Sequence, residues 1–228
     1  MLQTLKYQVM NRSIIKFKSE LFFLMLLCYF ITNIKLNAQD SSFVINPALI
    51  GAIFPNFDYS LKTYNPLLIP YIPFSKGNFY GEVRYNYDRN GTLGLYGGRS
   101  FMVGKTGLNI FTPQLGILLG NYQGASFQFY YNLIHPKVEF NLTNQYSVIL
   151  NDRPNFYFNW SDIQFPIFNK FRAGATVQIF WDNTIRMIDP GILIGYRTDK
   201  LYLMLSSFNP WDKEKHFIFF AVQYKIVL

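Results

Sequence analysis

Six charged residues occupy polar positions in segments where apolar and polar side chains alternate. They are Glu82, Arg84, Glu139, Arg172, Arg197 and Lys225. A period of two places such residues on one face of a β-strand. Carboxylates and cations enclosed on one face should pair, because an unpaired buried charge costs several kcal/mol. The pattern predicts a salt-bridge network, and a selectivity ring or proton path is the functional alternative.

Catalytic residues are sparse. The chain has two histidines, His135 and His216. A serine hydrolase needs a histidine beside a hydroxyl and usually an acid. A site built from His216 with Ser207, Asp212 or Glu214 is the one combination that the spacing allows. The sequence contains no metal-ligand spacing, phosphate loop or dinucleotide fingerprint. We therefore predict no enzyme activity, no catalytic residue, no metal and no cofactor.

The first 38 residues have the three parts of a secretory signal peptide. A basic region precedes an apolar, charge-free stretch at residues 21–34, and Leu36-Asn37-Ala38 ends in a small residue. The apolar stretch is shorter than the roughly 20 residues of a spanning helix. We predict cleavage after residue 38, with a retained anchor as the alternative. Translation starts at either Met1 or Met10.

Cleavage changes the chemistry of the remaining chain. The segment contains Cys28, which is the only cysteine, together with five of the 21 basic and one of the 13 acidic residues. The remainder has a net charge of about +4 and no cluster of Lys and Arg. Much of the basic character therefore belongs to the targeting signal, and no nucleic-acid partner is predicted.

The composition favours β-structure in a membrane. Charged residues make up 15% of the chain, against about 25% in ordinary soluble proteins. Aromatic residues make up 19%. Alternation predicts about ten strands, with eight or twelve as alternatives, joined by tight turns such as the one at Asn90-Gly91. The strands fall within residues 79–87, 92–101, 108–120, 125–133, 138–150, 156–160, 171–181, 188–196, 201–206 and 220–228.

Residues 39–77 do not follow this alternation. Five prolines interrupt an apolar stretch there, and proline cannot donate to a central ladder. We predict a periplasmic or barrel-associated lead-in, followed by a barrel at residues 78–228. Two further strands at residues 57–64 and 67–74 would raise the number to twelve.

The C-terminal residues form an amphipathic strand, with Phe220, Val222, Tyr224, Ile226 and Leu228 on one face. This strand resembles the C-terminal signal by which outer-membrane barrels are recognised and inserted. With an exported N-terminus and alternating strands, residues 78–228 resemble small Gram-negative outer-membrane β-barrels. The resemblance implies outer-membrane lipids and the barrel-assembly machinery as partners.

A soluble barrel would also show alternating apolar and polar residues. The composition of the polar face therefore distinguishes a membrane barrel from a soluble one. This face carries Tyr, Asn, Gln, Ser, Thr and Gly in place of the dense Lys and Glu of a solvent-facing surface. Aromatic residues near strand ends suit the girdles at membrane interfaces. We expect these on the lipid face: Phe79, Tyr87, Trp160, Phe171, Trp181 and Tyr196.

For function, the sequence favours a non-enzymatic outer-membrane barrel with a structural role or a protein partner in the envelope. A barrel this narrow can be filled by its own side chains, whereas open channels appear at about sixteen strands. A lipid-facing hydrolase or acyltransferase and a narrow solute channel are the alternatives.

Overall fold

The computed structural model describes residues 42–55, 64–104 and 107–228. The predicted signal peptide lies outside these residues. Every regular element within them is a β-strand. No helix among the described residues is long and apolar enough to cross a membrane.

Fifteen strands follow one another along the chain: β1 (Val44–Ile45), β2 (Ala48–Pro55), β3 (Tyr64–Lys76), β4 (Phe79–Tyr85), β5 (Thr92–Arg99), β6 (Phe101–Val103), β7 (Leu108–Gly120), β8 (Gly124–His135), β9 (Val138–Ile149), β10 (Phe156–Phe168), β11 (Phe171–Trp181), β12 (Arg186–Arg197), β13 (Leu201–Phe208), β14 (Phe217–Tyr224) and β15 (Ile226–Val227). The short strands β1, β6 and β15 continue β2, β5 and β14. The other twelve form the ring.

The ring closes because β3 pairs with both β2 and β4, and β2 also pairs with β14. Tyr71 of β3 lies opposite Ala48 on one side and Arg84 on the other. Phe220 of β14 lies opposite Gly51 of β2. All neighbouring strands are antiparallel. Because the ring is closed, it leaves no strand edge unpaired.

The strand number differs from the main prediction. The ring has twelve strands, which was the alternative, and the prediction of about ten is wrong. The two additional strands are β2 and β3, from the segment that was predicted to be a lead-in. Proline lacks the N–H donor but keeps its carbonyl acceptor, and the Pro73 carbonyl accepts a hydrogen bond from the Asn46 N–H at 2.9 Å. Prolines in β3 thus remove single donors without ending the strand.

The two faces of the ring differ in polarity. Four inward-facing glutamines are buried, namely Gln114, Gln128, Gln145 and Gln164. Outward-facing aliphatic residues are exposed, for example Ile117 at 50% and Ile192 at 57%. This exchange of inside and outside is what a barrel in lipid requires.

The two ends of the barrel carry different connections. The end that holds the N- and C-terminal strand segments, here the terminal rim, has short turns at residues 77–78, 136–137, 169–170 and 198–200. Gly77 and Asn169 adopt positive φ angles of 58° and 45° there. The opposite end, the distal rim, has loops at 86–91, 121–123, 150–155, 182–185 and 209–216. Short turns are periplasmic and longer loops extracellular in such barrels.

Charge on the outer face should impair insertion according to depth. Ile192→Arg, halfway along β12, is expected to cost about 2–4 kcal/mol, whereas Phe168→Arg at the terminal rim should cost about 0–1 kcal/mol. The measurement is the free energy of unfolding in urea after folding into lipid vesicles. Equal costs at the two positions would contradict this placement of the bilayer.

Candidate functional site

A buried ion cluster lies inside the barrel around Arg84. Its guanidinium contacts the Glu82 carboxylate at 3.1 Å and binds both oxygens of Asp88, at 2.9 and 2.6 Å. Gln145 of β9 accepts a further hydrogen bond from Arg84 at 2.7 Å. The side chains of Glu82, Arg84 and Asp88 have no exposed surface. The cluster therefore ties β4 to the far wall and to the loop that follows β4.

Glu82 also accepts hydrogen bonds from tyrosine hydroxyls. Tyr71 donates to its carboxylate at 2.6 Å and Tyr130 donates at 2.9 Å. The Tyr80 hydroxyl lies 3.4 Å from Glu82 and 3.1 Å from the Tyr71 hydroxyl. The Gln128 amide donates at 2.8 Å. Glu82 is thereby satisfied by donors from β3, β4 and β8.

A second ion cluster lies near the terminal rim. Glu139 of β9 contacts Arg172 of β11 at 3.1 Å and Arg197 of β12 at 2.6 Å. Five of the six charged residues predicted from the sequence thus lie in two separate groups. Lys225 belongs to neither group: it is exposed and makes none of the ion pairs found in the described part of the chain. Asp88, in the loop after β4, is a carboxylate of the Arg84 cluster that was not predicted from the sequence.

Aromatic side chains fill the lumen between its middle and the distal rim. Trp160 packs edge-on against Phe219 at 4.7 Å and against Phe208 at 5.9 Å, measured between ring centroids. Its indole N–H donates to the Thr176 hydroxyl at 2.9 Å. We call this layer the aromatic septum; its members are Tyr87, Tyr96, Phe156, Phe158, Trp160, Phe180, Phe208 and Phe219.

The structure differs from the predicted aromatic girdle at two residues, which belong to the septum. Tyr87 and Trp160 were expected on the lipid face but lie inside the barrel. Three other members of the predicted set are exposed on the outer face, namely Phe79, Phe171 and Trp181. The prediction equated an apolar face with the lipid face, and that rule fails where the lumen itself is apolar.

The β4–β5 loop, residues 86–91, reaches into the lumen at the distal end, where Asp88 contacts Arg84. Arg89 donates to Asp182 in the β11–β12 loop at 2.9 Å, and its guanidinium lies 3.8 Å from the Phe180 ring centroid. These two hairpins are six strands apart in the ring of twelve, so this contact spans the mouth. We call the Arg89–Asp182 pair the latch.

The latch carboxylate is held in its charged form. Burial acts to raise the pKa of Asp182, but hydrogen bonds from the Thr184 backbone and hydroxyl and from the Ile185 N–H outweigh it. With the nearby Arg89 charge, they lower the pKa below its ordinary value. The latch therefore remains an ion pair at neutral pH.

A cavity of about 440 Å³ occupies the lumen on the terminal side of the septum. Ser75, Gly77 and Gln223 line it near the terminal rim, whereas Tyr87 and Trp160 line it at its inner end. Its wall is of mixed polarity: Ile50, Ile110 and Met204 contribute apolar surface. The polar groups belong to Tyr71, Tyr80, Tyr130, Asp162, Arg197 and Tyr202, among others. The cavity is a vestibule towards the terminal rim that ends at the septum.

The histidines lie at opposite ends of the barrel. The Ser207 hydroxyl and His216 Nε2 are 2.9 Å apart near the distal rim, while His135 Nδ1 accepts the Lys137 N–H at 3.2 Å near the terminal rim. No carboxylate among the described residues is hydrogen-bonded to His216. No group of three His, Cys, Asp or Glu side chains in those residues could hold a metal.

The arrangement of the strands is similar to that of solved porins. A structure described as "KdgM porin" has a TM-score of 0.53 and 10% identity, covering 79% of this chain and 98% of that one. A second, "KdgM porin in complex with disordered oligogalacturonate", has a TM-score of 0.51 at the same identity and coverage. At this identity the likeness concerns the fold alone, a closed antiparallel β-barrel. No family model matches it, and the curated proteins gave no significant match.

This fold agrees with the resemblance to small outer-membrane barrels in the sequence analysis. Together with the apolar outer face, it places the protein in the outer membrane, as predicted. The predicted insertion signal has Phe220, Val222 and Tyr224 on β14 and Ile226 on β15, and Leu228 follows β15; the last four of these side chains are exposed. Its role in assembly stays a prediction.

Proposed function

We propose that the protein is a narrow solute channel of the outer membrane, held closed by its aromatic septum and latch. The observation that carries the proposal is the vestibule, a cavity of about 440 Å³ inside the barrel that ends at the aromatic septum. A barrel needed only as a scaffold has no use for a cavity of this size. The likeness to a protein described as a porin supports the proposal.

The closure depends strongly on one loop. Residues 86–91 supply Tyr87 to the septum, Asp88 to the Arg84 cluster and Arg89 to the latch. The base of the loop is held by other hydrogen bonds: Asn86 Oδ1 accepts from the Gly91 N–H, and the Asn121 N–H donates to the Gly91 carbonyl. Movement of residues 87–89 alone, with the base in place, would join the vestibule to the distal mouth.

Breaking the latch should raise the frequency of opening. Arg89→Ala removes both the ion pair with Asp182 and the contact with Phe180. We expect sparse, brief openings of the wild-type barrel in planar bilayers and a clearly higher open probability for the variant. Arg153→Ala is the matched control, since Arg153 is an exposed arginine of another distal loop. Silent bilayers for wild type and variant alike would contradict the channel.

The filled distal half favours a second candidate function. Without an opening motion, a barrel closed by packed aromatic rings serves as a structural membrane component or as the membrane-embedded partner of an envelope complex. Absence of conductance from the wild type and every septum or latch variant would make this the better account, and co-purification from detergent-solubilised outer membranes would then test for the partner.

A further inference from the structure

We propose that the vestibule binds organic cations, such as protonated amines, in preference to acidic sugars. The inference deepens the proposed function, because it names the solute class for the same lumen. It concerns binding at equilibrium, so it can be tested whether or not the barrel conducts. Three features of the vestibule carry it: the orientation of its tyrosine hydroxyls, its charge balance and the use that the lumen already makes of aromatic faces.

The tyrosine hydroxyls offer lone pairs to the vestibule. A phenol has one proton to donate. Tyr71 and Tyr130 give theirs to Glu82, which is 1% exposed and lies behind them. Tyr80 gives its proton to Glu82 or to the Tyr71 oxygen, and both lie within the same cluster. All three tyrosines line the cavity. The wall here therefore accepts hydrogen bonds and has few protons left to donate.

The charges on the wall favour a cation. Asp162 lines the cavity and makes no ion pair among the described residues; Asn141 and Gln164 donate uncharged amide hydrogen bonds to its Oδ2, each at 2.8 Å. Arg197 also lines the cavity, but its guanidinium already donates a hydrogen bond to the Glu139 carboxylate at 2.6 Å. Two arginines share the single Glu139 carboxylate, so the group at the terminal rim carries a formal charge of about +1. The Arg84 cluster has two carboxylates for one guanidinium, a formal charge of about −1, and Asp162 adds a further acidic group. The formal charge around the vestibule is therefore negative, and a bound cation would give Asp162 the ionic partner that it lacks.

Aromatic faces in this lumen already hold cations. The Arg84 guanidinium lies 3.9 Å from the Tyr96 ring centroid and 4.6 Å from that of Tyr87. Arg197 lies 4.5 Å from the Tyr202 ring. Such contacts are favourable, more so where water is excluded. A ligand cation in the cavity would meet the same kind of surface on Tyr80 and Trp160, which also line it.

An acidic oligosaccharide would need a wall that offers free cations in place of an unpaired carboxylate. Recognition of carboxylates uses arginines that are free to bind them in bidentate fashion. The two arginines near the terminal rim, Arg172 and Arg197, share Glu139. A solute like the oligogalacturonate in the complex of the structural neighbour would compete with Glu139 for these arginines and would bring its own carboxylates close to Asp162. The vestibule therefore disfavours it.

The test is equilibrium binding to the purified full-length barrel in detergent, followed by calorimetry. Putrescine is the cationic probe, digalacturonate the anionic probe and maltose the neutral one. We expect putrescine to bind, with affinity lowered about tenfold or more by Asp162→Asn, the loss of one charged hydrogen bond. Tyr130→Phe should also weaken binding. Asp189→Asn and Tyr131→Phe are the controls, because neither residue lines the cavity.

Tighter binding of digalacturonate or maltose than of putrescine would overturn the proposal, and so would equal putrescine affinity of wild type and Asp162→Asn. Thermal unfolding of each variant shows that the barrel is intact. Asp162-dependent binding by a barrel that never conducts would support this inference and contradict the channel. Conduction without putrescine binding would support the channel and contradict this inference.

Discussion

Replacing Arg84 with methionine should destabilise the barrel by about 3–5 kcal/mol, as expected when one partner of a buried ion cluster is removed. Arg84 is 1% exposed and is the cation that pairs with both Glu82 and Asp88. Methionine fills much of the same space, so most of the loss would come from two buried carboxylates left without a cation. The measurement is the free energy of unfolding in urea, in lipid vesicles.

Two further variants separate charge from packing. Arg186→Met removes an exposed arginine at the distal start of β12 and should change stability by well under 1 kcal/mol. The triple variant Glu82→Gln, Arg84→Met, Asp88→Asn removes the stranded charges and should recover part of the loss. If Arg84→Met costs no more than Arg186→Met, the cluster does not hold the barrel together.

The second large effect is expected from Trp160→Ala. Trp160 lines the inner end of the vestibule and is packed on Phe208 and Phe219. Its removal takes the largest side chain out of the septum, so we expect steady conductance in planar bilayers where the wild type is mostly closed. Truncation of a buried tryptophan also typically costs about 3–5 kcal/mol. The conductance records therefore need to come from protein shown to be folded.

Trp181→Ala provides the matched control, because it removes the same side chain from the outer face, where Trp181 is 44% exposed. It should leave conductance unchanged. A folded Trp160→Ala barrel that conducts no more than the wild type would mean that the septum is not what separates the vestibule from the distal mouth.

Alternation alone was sufficient to find most of the barrel. All ten predicted strands are present in the ring, and the turn residue Gly91 has a φ angle of +69°. The side on which neighbouring residues lie was also predictable where the polarity contrast is strong: Gln128 is fully buried inside, and Phe129 beside it faces outwards. The physical reason is that period-two geometry is local, so each strand carries its own signal.

The sequence by itself thus determined an all-β membrane barrel with polar and charged residues inside. Only the tertiary structure decided that the proline-rich β2 and β3 belong to the ring, that Trp160 faces inwards, and that Arg89 reaches Asp182. A period of two assigns residues to two faces of a strand. It does not show which face lines the lumen where both the lumen and the lipid are apolar. Contacts across the lumen depend on the number of strands and on how a loop folds between the walls, and neither is encoded in the local pattern.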